Sequence, residues 1–171
     1  MKKPFLIVID GPMGSGKTTL AKELHKKISS TSLISLDLLK HFVSEYKLDS
    51  KKHLDMASKI GRAMTKEYLK NNINVIVEKA FTREEFLKEF IKGFKNKSRL
   101  FIYQLHSPLN LRIKRIKERG PSPNTGKIQK LPKIQKNSKH FEEFRYREAK
   151  EFDTSKLTVR QMTNKILKDI K

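Results

Sequence analysis

Gly11-Pro12-Met13-Gly14-Ser15-Gly16-Lys17-Thr18-Thr19 fits the pattern G-x-x-x-x-G-K-[ST] of a phosphate-binding loop. Its flanks give the pattern its meaning. Phe5-Leu6-Ile7-Val8-Ile9 precedes it, a short apolar run that reads as a buried strand. Thr19 to Ser29 follows, and there Leu20, Ala21, Leu24 and Ile28 recur at helical spacing. Glycines at 11, 14 and 16 allow positive φ and close approach of the backbone to a phosphate. The N–H groups of Met13 through Thr19 and the helix N-terminus then form a cradle for anions. Lys17 reaches the β- and γ-phosphates of a nucleotide, and the Thr18 hydroxyl is placed to ligate Mg²⁺.

Outward from the loop, strands alternate with helices. Residues 31–36 read as a second strand ending at Asp37, followed by a helix over 38–48. A long helix, capped by Asp49 or Ser50, presents Leu54, Ala57, Ile60/Gly61, Met64 and Tyr68 and stops near Asn71-Asn72. Val75-Ile76-Val77 is a third strand ending at Glu78. Thr82-Arg83-Glu84-Glu85 has the form of a capping box, with Phe86, Leu87, Phe90 and Ile91 turned inward. Residues 100–105 form a fourth strand, and Ser107-Pro108 starts a helix over 108–119. Residues 120–139, rich in Pro, Gly, Asn and Lys, read as the low-complexity tract of the chain. His140 to Lys150 reads as helical, Phe152-Asp153-Thr154 as a short last strand, and Thr158-x-x-Gln161 as the cap of a terminal helix. The alternation predicts an α/β, three-layer fold: a mainly parallel sheet with helices on both faces and one domain over 1–171. Ligands of such sheets bind beyond the carboxyl ends of the strands. Gly11–Thr18, Asp37, Glu78 and His106 therefore converge on one edge.

The 171 residues carry 39 Lys+Arg against 18 Asp+Glu, a formal charge of +21. That balance points to an anionic partner or, equally, to a Lys-rich compositional habit. There is no Cys, so disulfides, thiolate nucleophiles and Cys-based zinc sites are excluded; this suits a reducing, cytoplasmic setting. The apolar run before Asp10 is too short for a signal segment, and no stretch approaches a membrane span.

Asp37 is a candidate general base or positioning group for an acceptor hydroxyl. Glu78 is a candidate acid for holding Mg²⁺, or a partner of Lys79 or Arg83. Asp10 reads as structural, and His106 as packing. Arg112, Arg115 and Arg119 fall on one helical face, ready to clamp transferring phosphates before a closing lid, if they are not simply a solvated basic face. From Arg112 to Lys139 there are ten basic residues and one acid. Lys127, Lys130, Lys133, Lys136 and Lys139 recur every third residue. Because Pro132 argues against one continuous helix, this spacing suits an extended edge with cations about 9 Å apart, or else a disordered lid.

These pieces resemble the P-loop kinases of the nucleotide-kinase-like superfamily, in the branch that holds polynucleotide kinases, seryl-tRNA(Sec) kinase, zeta-toxin-like kinases and antibiotic phosphotransferases. The matching residues are Gly11–Thr19, Asp37, Val75–Glu78, Leu109–Arg119 and Asp153–Val159. The resemblance implies a five-stranded sheet in the order 2-3-1-4-5, ATP as donor and Mg²⁺. Polynucleotide kinases place an Arg three residues after the Asp, whereas here Lys40 stands there. The resulting expectation is ATP-dependent phosphoryl transfer to a hydroxyl, on a nucleic acid end or nucleotide, with Lys40, Lys130 and Lys133 contacting the acceptor. A small-molecule kinase and an ATPase switch protein are the alternatives. Oligomeric state is not read from the sequence.

Overall fold

The computed structural model describes residues 3–45, 51–122, 126 and 128–171. Five strands form one sheet in the order β2-β3-β1-β4-β5: β1 Phe5–Asp10, β2 Thr31–Ser35, β3 Asn74–Glu78, β4 Arg99–His106 and β5 Lys150–Asp153. Every pairing is parallel, in the register Val8↔Val77 and Val8↔Ile102 across the central strand. All six residues of β1 are buried, as a strand covered on both faces requires. Its alternate residues feed two cores. Leu6 and Val8 join Val75, Val77 and Ile34 beneath α3 (Lys51–Lys70) and α4 (Glu84–Ile91). Ile7 and Ile9 join Ile76, Tyr103 and Leu105 beneath α1 (Lys17–Lys27) and α7 (Val159–Asp169).

Several boundaries differ from the sequence reading. β2 stops at Ser35, and a four-residue helix α2 (Leu36–Leu39) with a 3₁₀ turn (Lys40–Phe42) stands at the start of the helix expected over 38–48, whose residues 46–48 lie outside the described residues. The predicted caps Asp49 and Ser50 lie outside the described residues. The buried stripe of α3 is Ala57, Gly61, Thr65 and Leu69, while Ile60 is turned outward. The Thr82 capping box does not form, because α4 begins one residue later with Arg83 as its N-cap. The chain is extended at Arg83, two residues after Phe81, whose side chain is buried and whose N–H donates to Asp10 Oδ1 at 2.8 Å. Phe86 lies outside, under the Arg83 guanidinium. Pro108, not Ser107, caps α5 (Leu109–Arg119). The largest departure is at residues 131–143. The tract expected to be extended or disordered forms α6 (Leu131–Glu143), with Pro132 in its first turn, where a missing N–H costs nothing. No helix follows from 144 to 149. The Thr158 capping box on α7 forms as read, its side chain accepting from the Gln161 N–H.

Asp10 is fully buried and structural, as expected. Its Oδ1 accepts from Phe81 N–H, its Oδ2 accepts from Gln104 Nε2, and Gln104 Oε1 accepts from Tyr146 N–H, each at 2.8 Å. Burial pushes this carboxyl up to about 6 against the pull of those donors. Asp10→Asn leaves the chain of bonds with one donor facing another, whichever way the two amides turn. We expect a stability loss of about 1–3 kcal/mol in urea denaturation at neutral pH; a loss indistinguishable from zero would show that the network does not support the sheet.

Candidate active site at the carboxyl edge of the sheet

The loop between β1 and α1 closes under two steric limits. A Cβ at Gly14 (φ +77°) would lie 2.8 Å from the Arg112 carbonyl oxygen, and one at Gly11 would lie 2.6 Å from the Leu105 carbonyl oxygen. Only glycine lets α5 and β4 approach the loop so closely. Lys17 turns back on the loop and donates to Pro12 O at 2.9 Å. Burial pulls its ammonium below the usual lysine value, while Glu78, Asp10 and Asp37 pull the other way. Thr18 opens α1 and donates from Oγ1 to Glu78 Oε2 at 3.3 Å. Ser35, the last residue of β2, donates to Glu78 Oε1 at 2.5 Å. Glu78 is thus buried and held between the ends of β2 and α1. Within the loop and the first turn of α1, Ser15 is buried and Thr19 exposed.

A hydroxyl and a buried carboxylate side by side at the phosphate loop are oxygen donors suited to Mg²⁺, which keeps several waters and takes further oxygens from phosphates. Among the described residues no cluster of three or more His, Cys, Asp or Glu forms a complete metal cage. The pair therefore fits an ion carried in with a nucleotide.

Asp37 sits in the first turn of α2, two residues beyond the end of β2. It pairs with Lys40 Nζ at 2.8 Å. Lys40 is almost fully buried, whereas 39% of the Asp37 side chain is accessible. Burial works to raise the Asp37 carboxyl, but Lys40, with Lys79 and Lys17 behind it, holds it below the ordinary carboxylate range. The Lys40 ammonium is thereby committed to Asp37 and not presented outward.

The three arginines of α5 separate. Arg112 is buried; it donates from Nε to Ser107 O at 3.0 Å, from Nη1 to Met13 O at 3.3 Å and from Nη2 to Ser138 Oγ at 2.5 Å. Arg115 grips Thr154 beyond β5, at 2.8 Å to Oγ1 and 2.7 Å to the carbonyl. Arg119 ends the helix, exposed. The segment read as a lid reaches the loop through α6, where Asn137 Oδ1 accepts from Met13 N–H at 2.8 Å. Lys130 caps α6 and is exposed, Lys133 is half-buried in its first turn, and Lys136 and Lys139 are exposed on the side away from Ile134 and Phe141. Lys127 lies outside the described residues. The period of three therefore does not draw one straight cationic edge. His106 is half-buried at the end of β4, and burial together with Arg145 lowers its pKa, in keeping with packing.

Sequence reasoning missed Asn137, Ser138 and Lys22, and named Lys79 only as a partner for Glu78, which accepts from Thr18 and Ser35. Asn137 was hidden in the Lys-rich tract. Lys79 follows Glu78, where burial pulls its ammonium down and Asp37 pulls it up. Lys22 stands four residues after Thr18 on α1, a spacing that does place both on one helical side. Thr18, Lys22, Ser35, Leu38 and Glu78 line a cavity of about 160 Å³. A larger one, about 400 Å³, lies near the start of β4 among Lys95, Arg99 and Glu148, at the opposite edge of the sheet.

Comparison with known proteins agrees with this layout. A family model described as an AAA domain matches residues 6–144. A cytidylate kinase of Sulfolobus acidocaldarius is 38% identical over 122 residues, covering 66% of this chain and 60% of the relative. Among solved structures, the Pnkp1/Rnl/Hen1 RNA repair complex contains a chain that superposes with a TM-score of 0.72 at 21% identity, over 85% of this chain and 48% of that one. An unliganded sugar kinase from Janibacter sp. HTCC2649 superposes with a TM-score of 0.71 at 12% identity, over 96% and 93% of the two chains. This chain thus spans about half to three fifths of the first two, and the structural likenesses establish a shared fold. With the family match running from β1 into α6, this chain belongs to the AAA-domain family and has the fold of a small P-loop kinase.

Proposed function

We propose that this chain transfers the γ-phosphoryl group of ATP to a hydroxyl on a nucleotide or a nucleic acid end. The observation that carries the reading is the gathering of Lys17, the Ser35–Glu78–Thr18 chain and the Asp37–Lys40 pair at one sheet edge. Phosphoryl transfer needs charge neutralisation and positioning more than covalent chemistry. The N–H groups of the loop and the start of α1 bind the phosphates, and Lys17 exchanges its bond to Pro12 for the β- and γ-oxygens. Thr18 Oγ1 and Glu78 would hold Mg²⁺, which when bound neutralises charge on the transferring group. Asp37, ionised well below neutral pH, accepts a hydrogen bond from the acceptor hydroxyl and orients it. A carboxylate with so low a proton affinity is a positioning group first and a base second. Arg119, exposed at the end of α5, is the arginine of the three best placed to reach a bound phosphate. Arg112 and Arg115 hold the loop and the end of β5. The +21 charge and the exposed Lys130, Lys136 and Lys139 support an anionic acceptor.

The direct test is transfer of radiolabelled γ-phosphate to a panel of 5′-hydroxyl DNA and RNA, tRNA, nucleosides, nucleoside monophosphates and small alcohols. Lys17→Ala is expected to lower transfer by about 10²–10³-fold while leaving the circular dichroism spectrum unchanged; activity near wild type would sink the reading. Glu78→Gln keeps the shape of the side chain and removes its charge. The Mg²⁺ concentration for half-maximal transfer should rise in that variant, and an unchanged Mg²⁺ profile would remove Glu78 from the metal site. Replacing Lys130, Lys133 and Lys136 together by Ala should flatten the dependence of acceptor KM on salt by roughly one logarithmic unit per lost phosphate contact. No change in that slope would point to a small neutral acceptor instead.

A further inference from the structure

β4 has eight residues and its outer neighbour β5 has four, which stand only against Tyr103–His106. Arg99–Ile102 therefore has β1 on one side and no strand on the other. The chain entering β5 does not run on along this edge. It is turned on itself, with Ala149 N–H donating to Tyr146 O at 2.9 Å and Tyr146 N–H to Gln104 Oε1 at 2.8 Å. Both polar groups of a strand residue point to one side, and successive residues alternate. Arg99 N–H donates to Pro4 O on the β1 side, and His106 O accepts from Thr154 N–H on the β5 side. The N–H and C=O of Leu100 and the N–H of Ile102 consequently face the open side, where no main-chain partner meets them among the described residues. Two donors with an acceptor between them are completed by another peptide backbone. Phosphate oxygens only accept, so a nucleic acid backbone does not match this alternation.

Beside the open edge lies the 400 Å³ groove, to which Leu100 and Ile102 give an apolar lining. Its rim is the turn after α4. Residues 92–99 carry Lys92, Lys95, Lys97 and Arg99 and no acid, and the three lysines are exposed. The one carboxylate of the lining, Glu148, is taken by Lys95 Nζ at 2.5 Å. A second copy of this chain would bring the same cations to the edge, and like charges oppose that pairing. The complement is an acidic chain.

We propose that the open edge of β4 at Arg99–Ile102 is a docking site for an extended, acidic segment of a partner protein, which adds a strand beside β4 and sets its carboxylates against the lysines of the turn after α4. The site lies at the amino end of β4, so the partner leaves the phosphate loop at the carboxyl edge free. It stands whether or not the chain is a kinase.

The probe is a fluorescein-labelled, amidated octapeptide of alternating valine and glutamate, titrated against the full chain by fluorescence anisotropy. Saturable binding is expected, roughly tenfold or more tighter than for the valine–lysine counterpart. Methyl groups on the main-chain nitrogens along one edge of the peptide should weaken binding roughly tenfold, and those along its other edge should not, a split that charge attraction alone does not produce. Lys92→Glu with Lys97→Glu should weaken binding by a similar factor. It should leave the melting temperature and the affinity for a fluorescent ATP analogue unchanged. Hydrogen exchange read by NMR places the contact: the Leu100 and Ile102 amides should slow in the complex, while Phe101, whose N–H lies on the β1 side, stays as in the free chain. Absence of saturable binding, equal binding of the two peptides, equal effects of the two methylation patterns, or protection elsewhere on the chain would overturn the proposal. So would slowing of the same two amides by a single-stranded oligonucleotide, or by self-association of the free chain, in place of the peptide.

Discussion

A guanidinium taken out of water must find its hydrogen-bond partners inside the protein, and Arg112 finds them in three places at once. Its nitrogens reach the start of α5, the carbonyl of Met13 in the phosphate loop and the hydroxyl of Ser138 on α6. Asn137, next along α6, accepts the N–H of the same Met13. Both backbone polar groups of one loop residue are thereby tied to helices about a hundred residues away in sequence. Gly14 completes the fit, since any side chain there would meet the Arg112 carbonyl. The loop is shaped by glycines from within and by α5 and α6 from without. A cradle held this way has less conformational freedom to lose when an anion arrives.

The same economy governs charge at the sheet edge. Lys17, Asp37, Lys40, Glu78, Lys79 and Asp10 alternate in sign, so each buried or half-buried group has a counter-charge or a hydrogen-bond donor. The strong positive balance of the chain lies outside this cluster, spread over α1, α3, α5, α7 and the segments between the elements. Near-neutrality inside and excess cation outside suit two different tasks. In the proposed transfer the inner groups would orient phosphates and a hydroxyl at short range. The outer ones raise the local concentration of anions at long range, an effect that fades with salt.

Local features were legible from sequence where short-range physics decides them. The phosphate loop, the existence and order of the five strands and the Thr158 capping box depend on residues within a few positions and were read correctly, though β2, β4 and β5 differ by one or two residues at their ends. The misses share one cause, a tertiary contact overriding a local signal. Thr82 could have capped α4, but Phe81 before it is anchored to Asp10 and the helix begins one residue later, after an extended Arg83. Arg112 and Arg115 have the spacing of phosphate clamps, yet one is bound in the interior and the other to Thr154. α6 is the instructive case. Ile134, Asn137, Ser138 and Phe141 lie at i, i+3, i+4 and i+7, the stripe of a buried helical face, and all four are buried. Two of the four are polar, so a search for apolar periodicity passes over them. Their burial becomes sensible only with Met13 and Arg112 in place.

Asp37 shows how far geometry alone carries the chemistry. At the end of a strand beside a phosphate loop, a carboxylate invites the role of proton acceptor. Its environment argues otherwise: three lysines hold it ionised and lower its proton affinity. A base of that kind draws little driving force from taking a proton before phosphorus–oxygen bond making. In the proposed transfer, catalysis at this edge would then come from stabilising charge on the transferring group, with the proton leaving late, when the hydroxyl has become strongly acidic. That ordering fits a loose transition state in which bonding to the nucleophile lags behind departure of the leaving group. In the proposed transfer the buried Lys40 would act through Asp37, since it keeps that carboxylate charged, aimed and poor at holding a proton.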